Sequence, residues 1–119
     1  MVERIRMFLG RPFDVISDLS LPEVTALASQ SAIFIGNDSG IAHIAAAVGT
    51  PSVVIFGSSN RDHWRPWTEA PHEVVRVLFE CQPCPGDKCR VYGEPKCILS
   101  VSPKQVIESV DRLVDAGTR

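Results

Sequence analysis

No apolar run in this sequence approaches the roughly 20 residues that would cross a bilayer as a helix. The opening ten residues, MVERIRMFLG, hold no apolar stretch of signal-peptide length, so the expectation is a cytoplasmic chain without a transmembrane segment. Charge of one sign is lacking as well. Twelve Lys and Arg stand against fourteen Asp and Glu, the net charge is -2, and the basic residues are scattered. That pattern argues against a nucleic-acid partner and leaves room for a local phosphate site. There is no internal repeat and no low-complexity segment. What is there is ordinary for a globular protein: 45% hydrophobic, 22% charged and only 7% aromatic residues. At 119 residues the chain reads as one domain, 1–119, able to bury roughly two-thirds of its unfolded surface.

The elements follow from local patterns. Phe13 to Ile16 is a short apolar strand candidate. Ser20, Pro22 and Glu23 spell a helix start with a capping box, and Leu21, Val24, Leu27 and Ala28 share one face of that helix. Ala32 to Ile35 reads as a buried parallel strand. Ile41 to Val48 is the next helix, stopped by Gly49 and Pro51. Ser52 to Phe56 is again a buried strand, and Glu73 to Phe79 another candidate. Ser102 and Pro103 open a last helix with Val106, Ile107, Val110, Leu113 and Val114 on one side. This alternation predicts an α/β, Rossmann-like three-layer domain with a mostly parallel sheet.

Ligands of such sheets bind beyond the carboxyl ends of the strands. Two polar turns, Gly36 to Gly40 and Gly57 to Arg61, fall there and are expected side by side. In the stretch FIGNDSGIAHIAAAVGTP, glycines let the backbone bend close to a ligand, and the helix that follows points free N–H groups at an anion. Ser39 adds a hydroxyl and His43 a further donor. Gly57, Ser58 and Ser59 offer a second glycine-eased turn. Together they could hold a diphosphate without a metal. The plainer alternatives are that Asp38 is an N-cap, Ser39 a turn residue and His43 a core histidine satisfied by backbone. An Asp is awkward beside phosphate. It suits a cap, or an acceptor for a sugar or ribose hydroxyl.

Cys81, Cys84, Cys89 and Cys97 form C-x2-C-x4-C-x7-C inside a loop, 81–97, rich in Pro and Gly. Four thiolates from one loop would suit a structural zinc, and free buried thiols or a partial disulfide are the alternatives. A cytoplasmic chain argues against stable disulfides. A catalytic role for these thiols has no support, because sequence fixes no basic partner beside them.

The run GNDSGIAHIAAAVGTPSVVIFGSSN and the following WRPW resemble the carboxyl-terminal half of glycosyltransferase family 9, the ADP-heptose:lipopolysaccharide heptosyltransferases and their relatives. The upstream DLSLPEVTALASQSAIFIGNDSG fits the same family, and the likeness extends to the final helix. It implies the second domain of a GT-B glycosyltransferase. That domain binds the nucleotide-diphosphate sugar through Asp38, Ser39, Gly40 and His43, with Gly57 and Ser59 shaping the site. It further implies transfer of a sugar, a heptose, to a lipopolysaccharide-core or related acceptor with inversion at the anomeric centre. No cofactor would be required for catalysis, and the complete enzyme would work at the inner membrane's cytoplasmic side. The family's amino-terminal acceptor domain, with its general-base carboxylate, has no counterpart here, so the chain alone is expected to be inactive. Arg61 also departs from the family, which often has Pro there. Two rival readings are a stand-alone nucleotide-binding module without transferase activity and a zinc-stapled interaction domain.

Overall fold

Val53 and Val54 are adjacent, and both are fully buried. Successive strand residues point to opposite faces, so the strand that carries them is covered on both sides. It is the middle of a sheet. The computed structural model describes residues 2–86 and 88–117. It runs α1 (Val2–Phe8), α2 (Leu21–Gln30), β1 (Phe34–Asn37), α3 (Gly40–Ala47), β2 (Ser52–Ile55), α4 (Arg61–Trp64), β3 (His72–Val75), α5 (Lys96–Leu99) and α6 (Pro103–Gly117). The strands lie in the order β1-β2-β3, and both pairs are parallel. This is a Rossmann-like α/β arrangement.

Small residues set the packing. α3 buries Ala42, Ala45 and Ala46, which lets its backbone come close to β1 and β2. Ala42, Val54 and Phe56 form the core cluster, with Phe34 and Val74 against it. α6 packs on β2 and β3, where Arg112 donates to Glu73 at 2.8 Å. The capping box of α2 is present: Glu23 accepts from the Ser20 N–H at 2.8 Å and from the Ser20 hydroxyl at 2.5 Å. Those two bonds hold the Glu23 carboxyl below its ordinary pKa. Gly49, at φ 76°, ends the run after α3 in the left-handed conformation. Thr50 then ties that end to α2 by donating to the Ala28 carbonyl at 2.7 Å.

Several expectations are corrected. Phe13 to Ile16 forms no strand, because no neighbouring segment among the described residues shares a ladder with it, and Val15 and Ile16 remain exposed. The strand expected at 32–35 lies two residues later. Gly36 and Asn37 pair with Val54 and Ile55, so the ladder overrides their poor strand propensity. It is an edge rather than a doubly buried strand, with Ile35 49% exposed. The strand expected over 73–79 stops at Val75. Short helices α1, α4 and α5 were not anticipated. The apolar stripes are only partly covered, since Leu21 and Leu27 on α2 and Ile107 and Val114 on α6 are exposed.

Candidate functional site

Sheet register brings both polar turns to one end. Asn37 stands opposite Ile55, and the Asp38 N–H donates to the Ile55 carbonyl at 3.0 Å, one residue past β1. On the other side of β2, the Phe56 N–H donates to the Val75 carbonyl at 2.9 Å. β1 therefore runs into Asp38, Ser39 and Gly40 at the level where β2 runs into Gly57, Ser58 and Ser59. The two turns are neighbours.

The first turn leaves its polar groups open. Ser39, not Asp38, is the N-cap of α3, at φ -157° and ψ 170°, and its side chain makes no capping hydrogen bond. The capping explanation of Asp38 is thereby removed. Gly40 and Ile41 begin the helix, where their N–H groups have no carbonyl of a preceding turn to bond. The helix dipole places partial positive charge at the same point. Asp38 is half-buried, while Ser39, Gly40 and His43 are exposed. The core role considered for His43 is thus not what the fold gives it.

The second turn is stitched down. Gln82 donates from Nε2 to the Gly57 carbonyl at 2.6 Å, and its amide oxygen accepts from the Phe79 N–H at 2.8 Å. The Cys84 N–H donates to the Ser58 carbonyl at 3.0 Å. A Cβ on Gly57 would lie 3.2 Å from Ile98 Cβ and 3.8 Å from Cys97 Sγ, so α5 presses directly on the turn. Gly86, at φ +79°, passes so near Ser58 that a Cβ there would collide with its hydroxyl. Beyond the turn, Asn60 caps α4 through bonds from the Asp62 and His63 N–H groups at 2.9 and 3.3 Å.

Between the turns and the cysteine loop lies a cavity of about 330 Å³. Asn37 and Asp38 line it from the first turn, and Gly57, Ser58 and Ser59 from the second. All four cysteines line it from the loop. Ile55, Pro95 and Ile98 make much of the wall apolar, while Lys88 and Lys96 bring positive charge. The Lys96 ammonium sits 5.0 Å from the centroid of the Tyr92 ring, which meets Phe79 edge-on at 5.7 Å. The structure thus brings Asp38, Gly57 and Ser59 to one cavity. Ser39, Gly40 and His43 stand outside it, at the start of α3.

No disulfide links the four cysteines. Among the described residues, no three His, Cys, Asp or Glu side chains gather as a metal-ion ligand set. As placed, the side chains do not converge into the four-thiolate centre considered from the spacing. The loop's place over the strand ends was missed. Its one readable signal was the pair Gly57 and Gly86, both at points of close approach. No helix among the described residues is long and apolar enough to cross a membrane.

Residues 2–93 match the family model described as glycosyltransferase family 9 (heptosyltransferase). Lipopolysaccharide heptosyltransferase 3 of Escherichia coli is 36% identical over 101 residues, covering 84% of this chain and 28% of that protein. The protein of the same name from Escherichia coli strain K12 is 52% identical over 48 residues, 40% of this chain and 14% of its own length. Lipooligosaccharide heptosyltransferase 2 of Campylobacter jejuni subsp. jejuni serotype O:6 is 32% identical over 81 residues, 68% of this chain and 25% of its own. The chain thus spans about a quarter of the length of such relatives. No solved structure matches it. With the family model covering most of its length, and a parallel α/β sheet beneath the matched motif, the chain belongs to glycosyltransferase family 9.

Proposed function

We propose that this chain is the donor-binding part of a glycosyltransferase. The enzyme would move a sugar, a heptose, from a nucleoside diphosphate to a hydroxyl of a lipopolysaccharide core or related acceptor. One observation carries the reading: two glycine-bearing turns meet at adjacent strand ends, and one of them opens a helix whose first N–H groups are uncapped. The family and the names of its relatives supply the class of reaction.

In this proposal the glycosidic C–O bond breaks and negative charge builds on the departing diphosphate. The N–H groups of Gly40 and Ile41, the Ser39 hydroxyl and the His43 imidazole donate to it, and the helix dipole adds to the same effect. Asp38 accepts from a sugar or ribose hydroxyl, since a carboxylate held against phosphate would be repelled. Gly57 and Ser59 shape the opposite side. A carboxylate base in a second domain, outside this chain, takes the acceptor's proton. The residues here therefore stabilise a leaving group and transfer no proton themselves. The reaction needs no cofactor, because the nucleotide already activates the sugar. The expected setting is the cytoplasmic side of the inner membrane, with no nucleic-acid partner.

The test is a transfer assay on the enzyme that contains this chain, with a nucleotide-diphosphate heptose and a lipopolysaccharide-core acceptor. Release of nucleoside diphosphate should match the acceptor's gain of one heptose. Absence of both would overturn the reading.

A further inference from the structure

We propose that Cys84 and Cys97 form a covalent modification site for soft carbon electrophiles within the same cavity. An adduct there and a bound nucleoside diphosphate would exclude one another. The inference rests on the reading above, that the two turns receive the nucleotide.

Both residues lie against the second turn. The Cys84 backbone donates to Ser58 at 3.0 Å, and Cys97 Sγ lies 3.8 Å from where a Gly57 Cβ would stand. Both line the cavity that Asp38 and Ser59 also line. Neither is in a disulfide, and no metal-ligand set among the described residues engages them. Cys84 is exposed and Cys97 half-buried, and both are reached from the cavity they line. Size makes the two occupants exclusive. At about 330 Å³ the cavity stands near the bottom of the roughly 300–1,000 Å³ range of ligand pockets, so a nucleotide that reaches from the first turn to Ser59 crosses it and competes with an adduct for the same space.

The chemistry is an addition. The sulfur, as thiolate, attacks one alkene carbon of an activated double bond such as a maleimide. The S–C bond forms, the C=C π bond breaks, and the proton lost by the thiol ends on the neighbouring carbon. No oxidant, reductant or metal is consumed.

The experiment labels the chain with N-ethylmaleimide and follows each cysteine by mass spectrometry, with ADP, with adenosine, or with neither. At ten times the ADP dissociation constant only about one molecule in eleven has an empty cavity, so Cys84 and Cys97 should label roughly tenfold more slowly. Adenosine, lacking the diphosphate, should leave both rates unchanged. In the reverse direction, labelled chain should lose ADP binding in calorimetry. Because all four thiols line the cavity, a variant carrying Cys81→Ser, Cys84→Ser, Cys89→Ser and Cys97→Ser should bind ADP before and after the same treatment. The protection arm uses unaltered protein, so it decides even if a variant or an adduct disturbs folding. If ADP binds by calorimetry yet neither thiol is protected, the site is overturned while the nucleotide reading stands. If ADP does not bind the untreated chain at all, the nucleotide reading falls and takes this inference with it.

Discussion

The two turns at the carboxyl end of the sheet are built in opposite ways. In the turn after β1, the Ser39 hydroxyl caps nothing, and the Asp38 and His43 side chains make no hydrogen bond with any described residue. In the turn after β2, the carbonyls of Gly57 and Ser58 are taken by Gln82 and Cys84, and Asn60 caps α4. The same residue classes, Gly, Ser and Asn or Asp, occur in both. What differs is that the Gly57 and Ser58 carbonyls and the Asn60 side chain are engaged in the second turn, while the side chains of Asp38, Ser39 and His43 are not in the first. A turn whose groups are satisfied holds the fold together. One whose groups are left open beside a helix N-terminus is free to meet a ligand, and replacing its side chains costs the fold little.

That contrast is broken most sharply by His43→Ala. In the complete enzyme, losing one donor to the departing diphosphate is expected to lower turnover on the order of 10²-fold. The melting temperature should not move, since His43 is exposed and engages no described partner. Ser39→Ala should act in the same direction but less, because the Gly40 and Ile41 N–H groups remain. Asp38→Ala should also spare stability, as Asp38 is not the cap. Turnover and thermal melts on the three variants check this. A variant that melts early with normal turnover would make the first turn structural.

Gln82→Ala is the converse experiment. It removes the bond to Gly57 and the bond from Phe79, so denaturant unfolding should show a loss of about 1–2 kcal/mol. A loss within error would mean the second turn does not depend on its stitching.

Much of this fold could be read from the sequence, and the parts that could not share a cause. The α2 start was legible because a capping box is local: Ser20 and Glu23 lie three residues apart. Gly49 was legible as a stop for the same reason. β2 announced itself by its unbroken apolar run. β1 was misplaced because Gly36 and Asn37 owe their extended state to β2, a partner that local propensity cannot see. Phe13 to Ile16 failed in the opposite sense, having strand-like residues and no ladder. For the candidate site, the adjacency of the two turns followed from α/β topology alone. The far wall did not. The bond from Gln82 to Gly57 spans 25 residues, and nothing in the cysteine spacing says that the loop folds back over the strand ends. Spacing suggested a metal. Position puts the thiols in the wall of a cavity.

The smallest expected effect lies away from both turns and sharpens the comparison as a control. The hydrogen bond from Arg112 holds the Glu73 carboxyl below its ordinary pKa. A depressed folded pKa means that the pair's stabilisation is present above the unfolded value and is lost as pH falls through the folded one. As a surface pair it contributes little, and salt screens it. Glu73→Gln should therefore lower stability slightly at pH 7, and the difference from wild type should shrink towards pH 3 and at high salt. A difference that ignores pH would mean the ion pair contributes nothing. Turnover should be unaffected, which separates fold effects from those of the first turn.

The central claim is that the open turn and its stitched neighbour receive a diphosphate. The most direct measurement is calorimetric titration of this chain with ADP and, separately, with adenosine, repeated on His43→Ala. Heat of binding with ADP, none with adenosine at the same concentration, and weaker ADP binding by a variant that melts like wild type is the predicted result. Equal binding of ADP and adenosine, or an unchanged ADP affinity in His43→Ala, would contradict it.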